Sequence, residues 1–290
     1  MKRILFSLVA ATLLLGCGSS KRERSSEDQA TIYVSILPIK QLVESLVDDD
    51  FRVEVLVPAG ASPETFEPTA RQWAALERAE LVLGIGLLDF EQNLLTKLPE
   101  QVKVINLSKG VDILAGCCSH GHHHHQHHHA HGVDPHIWTS PRELKTMVAN
   151  IDQVLRPLLP DTLRYKANFE ALTQRLDSLD QATAAAIRQA GVRAFYIYHP
   201  AMSYYARAYG LEQVAIEQEG KEPSAKRIAQ LIERGRREEI RNIFYQSQFP
   251  ASSVEIIVRD LGGKALPINP LAEDILTEIE RFTQQIIRYE

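Results

Sequence analysis

The sequence predicts an α/β protein of two lobes. Each lobe is built from about four βα units around a parallel sheet, one long rigid helix joins them, and a metal cleft lies between. Three observations predict this. From Thr31 onward, short apolar runs alternate with segments of helical period, the pattern of parallel strands linked by crossover helices. One uninterrupted helical stretch of roughly 30 residues, about 45 Å at 1.5 Å per residue, divides that alternation in two. Outside a histidine-rich tract the chain holds His136 and His199, one in each half.

The elements follow in order. MKRILFSLVAATLLLGCGSS has a charged start, Lys2 and Arg3, then an apolar run from Ile4 to Leu15 that is too short to span a bilayer. It reads as an export signal over 1–16. Leu14-Leu15-Gly16-Cys17 resembles a bacterial lipobox, which makes Cys17 the lipidated residue and acyl chains the membrane tether. Residues 17–30 are charged and poor in apolar side chains, so a flexible tether is expected.

In the first lobe, 31–158, strands are expected at 31–37, 51–57, 81–86 and 102–107, with helices from Pro38 to about Asp49 and near 70–79 and 90–97. After DPHIWTSP, Pro141 opens a further helix that Pro157 and Pro160 punctuate. The linking helix falls within 159–191: Leu163, Ala167, Leu172, Leu176, Leu179 and Ile187 recur at helical steps, and Gly191 stands where a C-terminal cap belongs. The second lobe, 192–290, repeats the alternation with strands at 194–198, 212–216, 240–245 and 264–268, and helices at 201–209, 224–235, 251–261 and 272–288.

Nine of the eleven histidines crowd into the loop 116–133: His120, His122, His123, His124, His125, His127, His128, His129 and His131. Such a tract has almost nothing apolar to bury, so a mobile surface loop that collects zinc weakly, at shared pairs of imidazoles, is expected. Cys117 and Cys118 adjoin it, and adjacent cysteines close a strained ring, so thiolate ligation or idle thiols are favoured over a structural disulfide.

In open parallel sheets ligands sit beyond the carboxyl ends of the strands. His199 directly follows AFYIY, Glu64 and Glu67 lie in the loop after the second strand, and Asn269 follows the last one. His136 stands before a helix with Asp134 two residues away as an acceptor for its ring. Each has a plainer reading: a histidine at a strand end is often only a hydrogen-bonded loop residue, and glutamate is usually solvated. A cleft between lobes would let them converge on one ion. The net charge of −5 and pI near 6.1 give no reason to expect nucleic acid. There is no HExxH helix, nucleophile elbow or phosphate loop, which speaks against an enzyme; a zinc hydrolase with Glu67 as base is the catalytic alternative.

DPHIWTSP (134–141), YHPAMSYYARAYGL (198–211), EPSAKRIAQLIE (222–233) and FYQSQFPASSVEIIVRDLGGKALPINPL (244–271) together resemble a known family. It is that of the zinc and manganese solute-binding lipoproteins of bacterial ABC importers, the zinc-uptake type with a His-rich loop. The resemblance implies a pair of (βα)4 lobes joined by one long helix, and His136 and His199 as ligands. It also implies Zn2+ rather than Mn2+ as cargo, an ABC permease as partner, a monomer, and an extracytoplasmic, membrane-anchored location. Two positions depart from the pattern: most relatives place histidine where Glu64 stands, and many place aspartate where Asn269 stands. The expected site is therefore Glu64, His136 and His199, with water or Glu67 fourth and Asn269 a poor donor. That mixed nitrogen and oxygen set suits zinc's tetrahedral preference better than manganese's oxygen-rich one. A sequestering or adhesive surface lipoprotein without a permease is the alternative outside transport.

Overall fold

The computed structural model describes residues 30–116, 132–159, 161–218, 220–249 and 252–288. The expected signal segment, Cys17, Cys117, Cys118 and the nine clustered histidines from His120 to His131 lie outside the described residues.

The first half runs β1 (Thr31–Val34), α1 (Leu37–Val47), β2 (Arg52–Val55), α2 (Ala70–Leu76), β3 (Leu81–Gly84), α3 (Asp89–Leu95), β4 (Lys103–Asn106) and, after a 3-10 turn at Ile137–Thr139, α4 (Pro141–Leu155). Then comes α5 (Thr162–Ala190), the 29-residue strut. The second half runs β5 (Ala194–Ile197), α6 (Ser203–Tyr209), β6 (Glu212–Ala215), α7 (Ala225–Arg237), β7 (Asn242–Tyr245), α8 (Ser252–Leu261), β8 (Lys264–Pro267) and α9 (Ile275–Ile287). The two sheets are four-stranded and all-parallel, in the orders β2-β1-β3-β4 and β6-β5-β7-β8. The same strand order occurs twice, with the reversal of direction between β1 and β3 in one and between β5 and β7 in the other. Clefts form at such reversals, beyond the carboxyl ends of the strands.

Local chemistry sets the ends of these elements. Pro38 sits in the first turn of α1, where no N–H is needed. Thr69 and Gln72 cap α2 reciprocally. Asp161 accepts from Arg164 N at the start of α5, and Gly191, at φ 67°, ends it in the left-handed conformation that glycine adopts without steric cost. Helix α9 starts three residues later than expected because Asp274 accepts from Thr277 N and takes the capping place. The regular strands are shorter than the apolar runs, but pairing continues past them: Leu56 N donates to Val34 O at 2.9 Å and Val57 N to Ser35 O at 3.0 Å.

The core crosses the boundary between the halves. One apolar cluster takes in both faces of the first sheet, the inner side of α5 and the Phe195, Phe244 and Phe282 group of the second sheet and α9. A smaller cluster, with Tyr196, Val214, Leu231, Ile243 and Val254, fills the space between the second sheet and helices α7 and α8. Of the described residues, no helix is long and apolar enough to cross a membrane.

Candidate metal centre

The carboxyl ends of the strands deliver three side chains to one point. Glu64 comes from the loop after β2, His136 from the segment between β4 and α4, and His199 from the turn two residues past β5. One ligand atom from each lies within 4.8 Å of the other two, and the two imidazole rings stand 5.3 Å apart at 69°. The cleft around them is lined by Pro63, Trp138, Gln246, Phe249 and Leu271 among others, and holds about 40 Å³ of free space. That is room for an ion with a water, well below the several hundred Å³ of a site for an organic ligand.

Each imidazole is oriented from behind by a carboxylate. His136 Nδ1 is 2.8 Å from Asp134 Oδ1, which also accepts the His136 backbone N–H at 2.9 Å. His199 Nδ1 is 2.9 Å from Glu217 Oε1. An ionised carboxylate only accepts, so both Nδ1 atoms carry hydrogen and both rings turn Nε2 to the cleft. Glu217 enters from the end of β6, where its N–H pairs with Tyr198 O beside His199. On the other flank, Gln246 at the end of β7 brackets the His199 backbone: Oε1 accepts its N–H at 3.2 Å and Nε2 donates to its carbonyl at 2.8 Å. Phe249 stacks on the His199 ring at 5.1 Å, and Trp138 lies 5.2 Å from that of His136 while donating to Pro270 O at 2.7 Å.

His199 Nε2 lies 2.9 Å from Glu64 Oε1, an ion-pair distance. The approach is off the angle of a hydrogen bond, which leaves this buried nitrogen without a hydrogen-bond partner. Burial alone would drive the His199 imidazole toward neutrality, but the carboxylates of Glu217 and Glu64 outweigh it and raise its pKa to about 9. Burial opposes ionisation of Glu64 and Asp134 too, and their histidine neighbours prevail, holding both acids below the usual carboxylate range. Without an ion, a proton on His199 therefore stands where a cation's charge is wanted. A divalent ion in its place would find two nitrogen donors and one carboxylate, a donor set that suits zinc's tetrahedral preference.

The other candidates are not brought into this group. Glu67 is exposed and does not line the ion cleft; with Phe66, Trp73 and Asp89 it borders a second groove that shares Glu64 with that cleft. Asn269 is exposed, its Oδ1 accepting from Leu271 N at 3.2 Å, and it borders a neighbouring depression with Pro58 and Gly60. Glu217 and Gln246 escaped the sequence reading, although both stand at strand ends and the rule that located His199 would have reached them.

The family model described as "Zinc-uptake complex component A periplasmic" matches residues 32–286. The zinc-binding lipoprotein AdcA of Streptococcus pneumoniae (strain ATCC BAA-255 / R6) is 30% identical over 288 residues, 96% of this chain and 56% of that one. The chain thus spans little more than half the length of that relative. The high-affinity zinc uptake system protein ZnuA of Bacillus subtilis (strain 168) is 28% identical over 284 residues, covering 92% of this chain and 88% of its own. A crystal structure of ZnuA superposes with a TM-score of 0.79 at 34% identity, over 90% of this chain and 98% of that one.

Proposed function

The chain belongs to the periplasmic zinc-uptake complex component A family, and from that premise we propose that it is the extracytoplasmic binding protein of an ABC importer. It captures one Zn2+ between Glu64, His136 and His199 and hands it to a membrane permease. No bond is made or broken; the work is selective capture and release. Cys17 carries the lipid that keeps the protein at the membrane, and the histidines from His120 to His131 collect ions without forming the transported site. The observation that carries this reading is the meeting of three donor atoms, from both halves of the chain, within 4.8 Å of one another. Two imidazoles and one carboxylate favour zinc over manganese, which prefers more oxygen.

The test uses a chain lacking residues 119–131, in which His136 and His199 are the histidines that remain. Titration calorimetry should find one tight zinc ion, and His136→Ala or His199→Ala should weaken it by about a thousandfold, the loss of one of three protein ligands. Tight zinc binding that survives both substitutions would remove the assignment.

A further inference from the structure

We propose that the Tyr204 hydroxyl is a positioning group for the metal centre: it ties His136 in the first lobe to the helix that follows His199 in the second, and so sets the spacing of the two imidazoles. The inference rests on the zinc reading above and names a residue outside the ion's own ligands.

Tyr204 lies on α6, five positions after His199, and is fully buried. Its hydroxyl donates to Asp134 O at 2.7 Å and accepts the Leu114 N–H at 3.1 Å. Those two partners face each other. Asp134 N donates to Leu114 O at 2.9 Å, Ala115 and Val133 form an antiparallel bridge, and Gly116 N donates to Gly132 O at 2.8 Å. Residues 114–116 and 132–134 are therefore a short two-stranded stem, and the tyrosine bonds to both arms at its inner end. Asp134 then passes the constraint on, because its carboxylate holds both the ring and the backbone N–H of His136. One turn further along α6, Arg207 donates to Asp112 O and Oδ2 and to Glu143 Oε1, with its guanidinium 5.0 Å from the Tyr204 ring centre. The second lobe thus grips the first at the segment that carries His136.

A phenylalanine would fill the same space, so the hydroxyl is needed for its two polar partners. Tyr205 provides the contrast: it is also fully buried, but its hydroxyl meets Thr283 Oγ1 at 2.8 Å, inside the second lobe and off any path to either imidazole. If Tyr204 sets the ring spacing, losing its hydroxyl should change the geometry of the bound ion, an effect that mere loss of stability does not produce.

Zinc affinity by competition with a chelating dye, and the visible absorption of the Co2+-loaded protein, are compared in the parent chain, Tyr204→Phe and Tyr205→Phe. Tyr204→Phe should raise the zinc Kd about tenfold, as loss of an outer contact to a ligand does, and shift the Co2+ bands. Tyr205→Phe should leave both unchanged while lowering Tm comparably. A Tyr204→Phe protein with parental Kd and Co2+ spectrum, or a Tyr205→Phe protein weakened equally, would overturn the proposal. If Tyr204→Phe does not fold, Arg207→Gln takes its place: about threefold weakening is expected, and parental affinity overturns the idea. A parent chain without a tight zinc ion would instead sink the zinc reading itself.

Discussion

The two imidazoles of the centre are held in unlike ways. His199 is fixed by a sheet: Glu217 from the end of β6 takes its ring and Gln246 from the end of β7 takes its backbone, so the register of three adjacent strands places it. His136 is fixed by a turn, in which one carboxylate two residues upstream holds both ring and backbone. Strand register resists small displacements because every neighbouring hydrogen bond must shift with it, whereas a turn moves with its few anchors. The first-lobe half of the centre is therefore the adjustable one.

The largest effect that sharpens this contrast is on pH. In the ion-free protein His199 has its pKa raised to about 9, above the ordinary value of 6.5, so its protonated form stabilises the fold. That contribution is fully present below about pH 6.5 and is lost as pH rises through 9, so the Tm of the ion-free protein should fall over that window. Zinc binding runs the other way. The proton on His199 must leave for an ion to bind there, so affinity should drop about a hundredfold from pH 10 to pH 7, measured by competition titration at each pH. In His199→Ala that slope should flatten.

Next comes a comparison of the two supporting acids. Asp134→Ala should weaken zinc by about a hundredfold and Glu217→Ala by about tenfold, because Gln246 still holds the His199 backbone when Glu217 is gone. Equal losses in parallel calorimetry would erase the distinction between turn and sheet. The smallest effect is expected at the rim. The Glu64 side chain is 42% exposed, and Glu64→Gln keeps an oxygen donor while removing charge, so a loss of roughly fivefold is expected. Glu64→His should restore affinity and lower the His199 pKa, which a histidine NMR titration of the ion-free protein would read.

Much of the fold was legible in the sequence because parallel βα architecture writes itself locally. Apolar runs such as FRVEVLV and IRNIFY contain β2 and β7, and the pattern from Leu163 to Ile187 with Gly191 behind it marks α5 to within a residue or two. Strand ends were overestimated where side chains stay apolar beyond the regular strand, as at Ile36 and Leu56, both buried. The 3-10 turn at Ile137–Thr139 went unseen because three residues carry no period. The strand-end rule found the loops that hold His199 and Glu64, while His136 was marked by its place before a helix with Asp134 two residues away. It could not say that Glu67, three residues from Glu64, would stay out of the cleft that Glu64 lines, or that Asn269 would turn its oxygen to its own loop. The contacts of Glu217, Gln246 and Tyr204 depend on pairings 18, 47 and 70 residues apart, which no local pattern encodes.

The strut limits how the molecule can move. Helix α5 packs on α1 and α4 of one lobe and on α9 of the other, and the apolar interior runs unbroken past it. A jaw-like swing would have to crack both that interior and a continuous ladder of backbone bonds about 43 Å long. Under the proposed uptake role, ion exchange would fall to the lips of the crevice, the segments around Glu64, Phe249 and Leu271. Loaded and empty proteins should then have nearly the same outline, so the permease proposed above would have to read the texture of those lips rather than the shape of the whole.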